Sequence, residues 1–233
     1  YGVMGLGLFA AAYSLYGGLS AVSWTDVIQV VFLVMGGLVT TYLALDAVSG
    51  GAGMWAGFSA IYDAAPDKFA MILDKDHPEY MNLPGICVLV GGMWVANIYY
   101  WGFNQYIIQR TLAAKSLKES QRGILFAAGL KLILPLIVVI PGIAAYVMTQ
   151  DAAVMAGLGE AALNKPPTGT NPDFAYPSLL QFLPTGLKGL AFAALAAAIV
   201  SSLASMLNST STIFTMDIYK PYINPGADDR ATV

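Results

Sequence analysis

Four stretches of the sequence, 26–45, 84–108, 123–148 and 187–215, run with almost no charge for about twenty residues or more, the length an α-helix needs to cross a bilayer core of about 30 Å. In hydrocarbon only bonds within the segment satisfy the backbone, so runs of this length read as transmembrane helices. A shorter apolar run, 1–16, opens the chain. With 57% hydrophobic and 11% charged residues, there are too few charges to solvate a water-facing surface. The expectation is an all-α membrane protein: a multi-pass helical bundle forming one transmembrane domain over 1–233, with four complete spans and one truncated span. Tyr1 begins inside an apolar segment with no initiator Met and no charged leader, so the chain is expected to be part of a longer protein.

Basic residues in short loops set the expected orientation. The loop 109–122 holds Arg110, Lys115, Lys118 and Arg122 against Glu119 and is expected to be cytoplasmic, as is 17–25. The loop 46–83 carries Asp63, Asp67, Asp74, Asp76 and Glu79 against Lys68 and Lys75, and is expected outside together with 149–186. Within the first outer loop Trp55, Phe58, Ile61 and Tyr62 recur at helical spacing until Pro66, which predicts a short interfacial helix. In the second, Pro166, Pro167, Gly169, Asn171 and Pro172 predict irregular chain.

The single Cys87 and single His77 provide no parts for a disulfide framework, a zinc site or Ser-His-Asp catalysis, so an enzyme is not expected. No basic patch or phosphate-binding glycine pattern supports nucleic-acid or nucleotide binding. Asn208-Ser209-Thr210 fits the glycosylation pattern but lies inside a span and is read as a chance match.

Polar groups at membrane depth are costly, and four places carry them. Lys131 lies nine residues beyond Arg122, about 13 Å into its helix. Its stem of about 6 Å does not reach the interface from there, so a wet internal cavity is preferred to snorkelling. Pro135 and Pro141 should bend the same helix. Asn97 and Tyr100, three apart in Asn97-Ile98-Tyr99-Tyr100-Trp101-Gly102, share a helix face. A carboxamide beside a ring suits a sugar, which needs hydrogen-bond partners for its hydroxyls and a flat surface for its C–H face. An aromatic belt with an interhelical Asn bond is the alternative. Ser201 and Ser202 lie in a stretch of alanines; they are either packing residues or, with the Ala198 carbonyl, oxygens for a monovalent cation. The sequence places no carboxylate nearby, which suits Na⁺ better than Ca²⁺. Asp26 in Ser23-Trp24-Thr25-Asp26 reads either as the acid of a helix capping box or as a carboxylate at the cytoplasmic mouth of a cation path.

The segment Tyr13-Ser14-Leu15-Tyr16-Gly17-Gly18-Leu19-Ser20-Ala21-Val22-Ser23-Trp24-Thr25-Asp26-Val27-Ile28-Gln29 resembles the signature of the solute:sodium symporter family. The stretches from Gln109-Arg110 to Lys131 and from Ser201 to Thr212 are similar to the same family, so the resemblance covers the whole chain. It implies part of an inverted-repeat, leucine-transporter-like core in a bacterial inner membrane, working by alternating access. It further implies that Asn97 and Lys131 hydrogen-bond a hexose such as galactose or glucose, and that Tyr100 stacks on it. Tyr99, Tyr100 and Trp101 would form its gate. Ser201, Ser202 and the Ala198 carbonyl would hold Na⁺, the coupling ion, with Asp26 on its exit route and no other cofactor. The partners implied are the lipid bilayer and further transmembrane helices of the same protein. A symporter of another solute (an amino acid, a carboxylate or an anion) and a non-transporting sodium-gated channel or sensor stand as alternatives.

Overall fold

The computed structural model describes residues 1–78, 80–81, 85–150, 175–228 and 232. The first helix, α1 (Gly2–Val48), contains one non-helical residue, Gly18, at φ 54° and ψ −164°. That conformation suits a residue without a Cβ. In an unbroken helix Tyr13 and Thr25 would stand about 18 Å apart. Their hydroxyl oxygens are instead 2.6 Å apart, so 2–17 and 19–48 fold against each other at Gly18. The expected loop 17–25 is therefore helical except at that glycine. The helix is already under way at Ser23, whose hydroxyl donates to the Leu19 carbonyl at 2.8 Å, so the capping-box reading of Ser23 and Asp26 does not hold.

After α1 come α2 (Met54–Ala64), where the apolar spacing up to Pro66 predicts a helix, and a single 3₁₀ turn at Pro66–Phe69. The expected span 84–108, whose first residue lies outside the described residues, is divided. A π-helical stretch, Val88–Gly92, leads into α3 (Met93–Gly102), and the backbone breaks at Phe103 and Asn104 before α4 (Gln105–Leu112). Gly102 weakens the first helix, and the Asn104 side chain starts the second by accepting from the Tyr106 amide at 3.1 Å. Next are α5 (Leu117–Lys131), a π-helical stretch at Pro135–Val139 and α6 (Ile140–Gln150). The irregular loop expected around Pro166 to Pro172 lies outside the described residues. The chain resumes with α7 (Ala175–Leu179), a 3₁₀ turn at Leu180–Phe182 and α8 (Thr185–Ile213), which runs into a π-helical end at Phe214–Ile223. Among the described residues, three helical stretches, Gly2–Val48, Leu117–Gln150 and Thr185–Ile223, are long and apolar enough to cross a membrane. In the most apolar part of Leu117–Gln150 only 6% of residues are buried within the chain. Its solvent must come from lipid or from other helices.

The described chain divides into two compact units. One comprises Tyr1–Val30, Val95–Leu125 and Leu195–Val233, and its core is Ala10, Val22, Val200 and Ala204, with Leu6, Tyr13 and Leu203 packed around them. The other comprises Val31–Trp94 and Phe126–Ala194; Ala44, Leu45, Ile61, Ile143, Ala144, Met148 and Leu179 are buried at its centre. There α2 sits so close to α1 that a Cβ at Gly57 would stand 2.0 Å from the Leu45 carbonyl oxygen.

Around the prolines expected to bend it, the regular α-helix ends at Lys131 and a π-helical stretch follows, which leaves one backbone group to be satisfied. The Ile140 amide bonds to the Pro135 carbonyl, five residues back, so the Leu136 carbonyl faces position 141, where proline has no N–H. The Thr41 hydroxyl on α1 supplies a donor at 2.8 Å, while also lying 2.8 Å from the Gly37 carbonyl of its own helix. Hydroxyl side chains relieve broken helices in this way where water is absent.

Thr41→Val keeps the shape and removes that donor, so it should cost about 1–3 kcal/mol. Thr40→Val, whose hydroxyl among the described residues bonds to the Gly36 carbonyl of the same helix, should cost less. Thermal unfolding of the purified protein in detergent compares the two; equal midpoints would refute the role given to Thr41. Gly57→Ala should lower the midpoint by the equivalent of about 1–3 kcal/mol, because the new methyl group meets backbone.

Candidate functional site

The site begins with small side chains. Ala204 and Val200 on α8 pack against Ala10 and Val22 on α1, close enough for the Ser14 hydroxyl to reach the Ala204 carbonyl at 3.3 Å. One turn along α1 from Val22 lies Asp26, and one turn along α8 from Ser201 lies Ser205. The packing that buries Val22 thus presents Asp26 to the serine face of α8. Ser201 is 4% exposed and Ser205 fully buried, as polar groups there can be only if they are paired.

They are paired through one carboxylate and one guanidinium. The Ser201 hydroxyl donates to Asp26 Oδ1, and Arg110 Nη2 donates to Asp26 Oδ2 at 2.7 Å. The same nitrogen donates to the Ser205 hydroxyl. Next to Arg110, the buried Gln109 side chain donates to the Ser205 carbonyl at 3.2 Å. The last turn of α4 is therefore fastened to α8 by two consecutive residues. A cation suits that turn, where the helix carbonyls converge. The Arg110 guanidinium also lies 5.9 Å from the Tyr106 ring centroid, one turn back on α4. Asp26 and Arg110 are 26% and 30% exposed, so their attraction is less screened than at an open surface.

The sequence places no carboxylate near Ser201 and Ser202; the fold corrects this, because Asp26, 175 positions away, contacts Ser201 directly. Arg110 neutralises that carboxylate. Ser202 and Ala198 are partly buried on the adjoining part of α8. Asn97 and Tyr100 lie on α3 with the spacing that puts them on one face. The Tyr100 and Trp101 rings meet edge to face, with centroids 5.2 Å apart and planes at 82°. The aromatic triplet Tyr99 to Trp101 occupies the last turn of α3, since the Phe103 and Asn104 amides both close on the Tyr99 carbonyl. Lys131 belongs to the other unit, as the final residue of α5 just before the proline-interrupted stretch.

Arg110, Gln109 and Ser205 carry this geometry, and residue-by-residue reading does not single them out. Arg110 looks like one more basic residue of a cytoplasmic loop, and Gln109 like its polar neighbour. Only the four-residue spacing of Ser201 and Ser205 signals a shared face.

The sequence matches the sodium:solute symporter family over residues 1–233. It is 66% identical over 233 residues to a sodium/glucose cotransporter of Vibrio parahaemolyticus, covering all of this chain and 43% of that protein. It is 36% identical over 243 residues to a sodium/myo-inositol cotransporter 2 of Bos taurus, covering 98% of this chain and 35% of that protein. A similar 36% identity over 229 residues links it to an uncharacterized symporter of Escherichia coli (strain K12). The chain thus spans less than half the length of these relatives. By its match along every part of the sequence, this chain belongs to the sodium:solute symporter family.

Proposed function

We propose that the chain is part of a secondary active transporter that couples inward sodium flow to uptake of a hexose such as galactose or glucose. The observation that carries this reading is the Ser201–Asp26 hydrogen bond, which adds a charged group to a helix face otherwise built of small apolar residues. A serine hydroxyl that gives its proton to a carboxylate turns its lone pairs outward and becomes a better cation ligand. In this reading Ser201, Ser202 and the Ala198 carbonyl coordinate Na⁺, further oxygens come from helices outside this chain, and Asp26 lies on the exit route.

The sugar is held by Asn97 and Lys131 through its hydroxyls and by Tyr100 through its apolar face, while Tyr99, Tyr100 and Trp101 form the inward gate. A cation bound on α8 favours the state that binds sugar, which couples the two affinities. Rocking of one part of an inverted-repeat core against the other then exposes both ligands to the cytoplasm. The membrane potential contributes about 2.3 kcal/mol per charge per 100 mV. The basic stretch 109–122, which is the end of α4, a short turn and the start of α5, faces the cytoplasm of a bacterial inner membrane in this arrangement. The name of the 66%-identical relative supports sugar as the solute. The name of the 36%-identical bovine relative favours a second reading, in which a cyclic polyol takes the same hydroxyl-binding groups.

Proteoliposomes holding the complete transporter test this. Labelled galactose should accumulate above its outside concentration under an inward sodium gradient and only equilibrate without one. Absence of sodium-driven accumulation would remove symport of this sugar; stronger competition by myo-inositol than by glucose would favour the polyol. Ser202→Ala should raise the half-saturating sodium concentration about tenfold, the equivalent of 1.4 kcal/mol. Lys131→Ala should raise the half-saturating sugar concentration by about 10- to 100-fold, as expected for a charged hydrogen bond, with sodium dependence retained. Unchanged uptake in both variants would remove the site assignment.

A further inference from the structure

We propose that Arg110 is a tethered competitor of sodium: its guanidinium holds the Asp26 carboxylate in the state seen here, and a cation passes Asp26 only when Arg110 swings away. The proposal rests on the sodium-coupled reading above and adds to it a residue that sets when the ion path is open.

The carboxylate has two oxygens and both are engaged, Oδ1 by the Ser201 hydroxyl and Oδ2 by Arg110 Nη2. Each oxygen keeps a further lone pair, so a sodium ion need not displace the Ser201 hydroxyl, but to reach Asp26 it must approach the like charge of Arg110. The arginine is not held in the way that makes such residues strong structural braces. A guanidinium offers five donors and pairs best with a carboxylate through two parallel bonds. Here one nitrogen, Nη2, makes both side-chain hydrogen bonds, to Asp26 and to Ser205, while the buried Nε has no hydrogen-bond partner among the described residues. An unsatisfied buried donor penalises this state, which brings it closer in free energy to one with the guanidinium in water.

An open cavity of about 530 Å³ lies beside Arg110, with Ser20, Ser23, Trp24 and Val27 among its walls. Arg110 itself lines it, so rotation of the side chain takes the charge from the Asp26 side towards this space. The helix that carries Arg110 is also connected to the proposed gate. Only Phe103 and Asn104 separate α4 from the last residue of α3, where Tyr99, Tyr100 and Trp101 sit, and Asn104 caps α4. A shift of the aromatic turn is therefore transmitted over two residues to the helix that holds Arg110, which links opening of the sugar path to release of Asp26.

The test is sodium titration of galactose uptake, with sodium flux measured in the absence of sugar, on the complete transporter in proteoliposomes. Arg110→Gln removes the competing charge and should lower the half-saturating sodium concentration by about fivefold or more, a charge effect at a partly buried site. It should also raise sugar-free sodium flux. Asp26→Asn together with Arg110→Gln should lose that gain, because the gain depends on the carboxylate. Ser205→Ala, a smaller change that takes away one of the two bonds of Nη2, should shift sodium half-saturation in the same direction by about two- to threefold. This second variant decides the matter if Arg110→Gln fails to fold. A brace with no part in ion passage would instead leave sodium half-saturation unchanged or raise it in both variants, and that result overturns the proposal. Absence of sodium dependence in the unmodified transporter would overturn the symport reading beneath it, so the two failures are separated within one experiment.

Discussion

Hydrocarbon provides no hydrogen-bond partners, and at three departures from regular helix among the described residues a side chain of this chain supplies one. At Gly18 the Tyr13 hydroxyl crosses to the returning half of α1, donating to the Ala21 carbonyl at 2.9 Å and sharing a bond with Thr25. At the break between α3 and α4 the Asn104 side chain takes up the Tyr106 amide. At the proline-interrupted stretch the Thr41 hydroxyl serves the Leu136 carbonyl. The breaks lie near the residues proposed to bind or gate the ion and the solute: Gly18 before Asp26, Gly102 after the aromatic triplet, Pro135 after Lys131.

The same constraint explains why the charged site takes the form it does. A carboxylate taken out of water needs several partners, and Asp26 obtains a hydroxyl and a guanidinium from two different helices. A charge held in this way responds to what surrounds it. Replacing a tethered cation by a mobile one exchanges like for like at the carboxylate, and the difference between the two states stays small compared with the cost of exposing or burying an unpaired charge. The proposed transport cycle needs that near-balance, since a site held too firmly in one state cannot cycle.

Reading from residues reaches some of these groups and misses others for identifiable reasons. Asn97, Tyr100, Lys131 and the Ser201–Ser202 pair are visible because each interrupts an apolar run, and polarity in hydrocarbon requires a cause. Asp26 is visible as an acid, but its local pattern also fits a capping box, and only the helix already established at Ser23 removes that reading. Arg110 is concealed by its surroundings: in a loop that also holds Lys115, Lys118 and Arg122, nothing local distinguishes the basic residue that turns inward. Similarly, 84–108 reads as one span because its apolar run is continuous; the division at Phe103 and Asn104 depends on a side-chain cap that composition does not reveal.

By itself, the sequence determined the helical class and the interruption at the prolines, because both follow from local chemistry: apolar length and missing amides. Its likeness along the whole chain determined the family. What only the tertiary structure decided is which polar groups meet. Asp26 lies 84 positions from Arg110 and 175 from Ser201. A stripe of alanines and serines allows close approach by many helix faces, so the pairing is selected by the fold at Gly18 and by the docking of α4 on Ser205, neither of which is a property of the stripe itself.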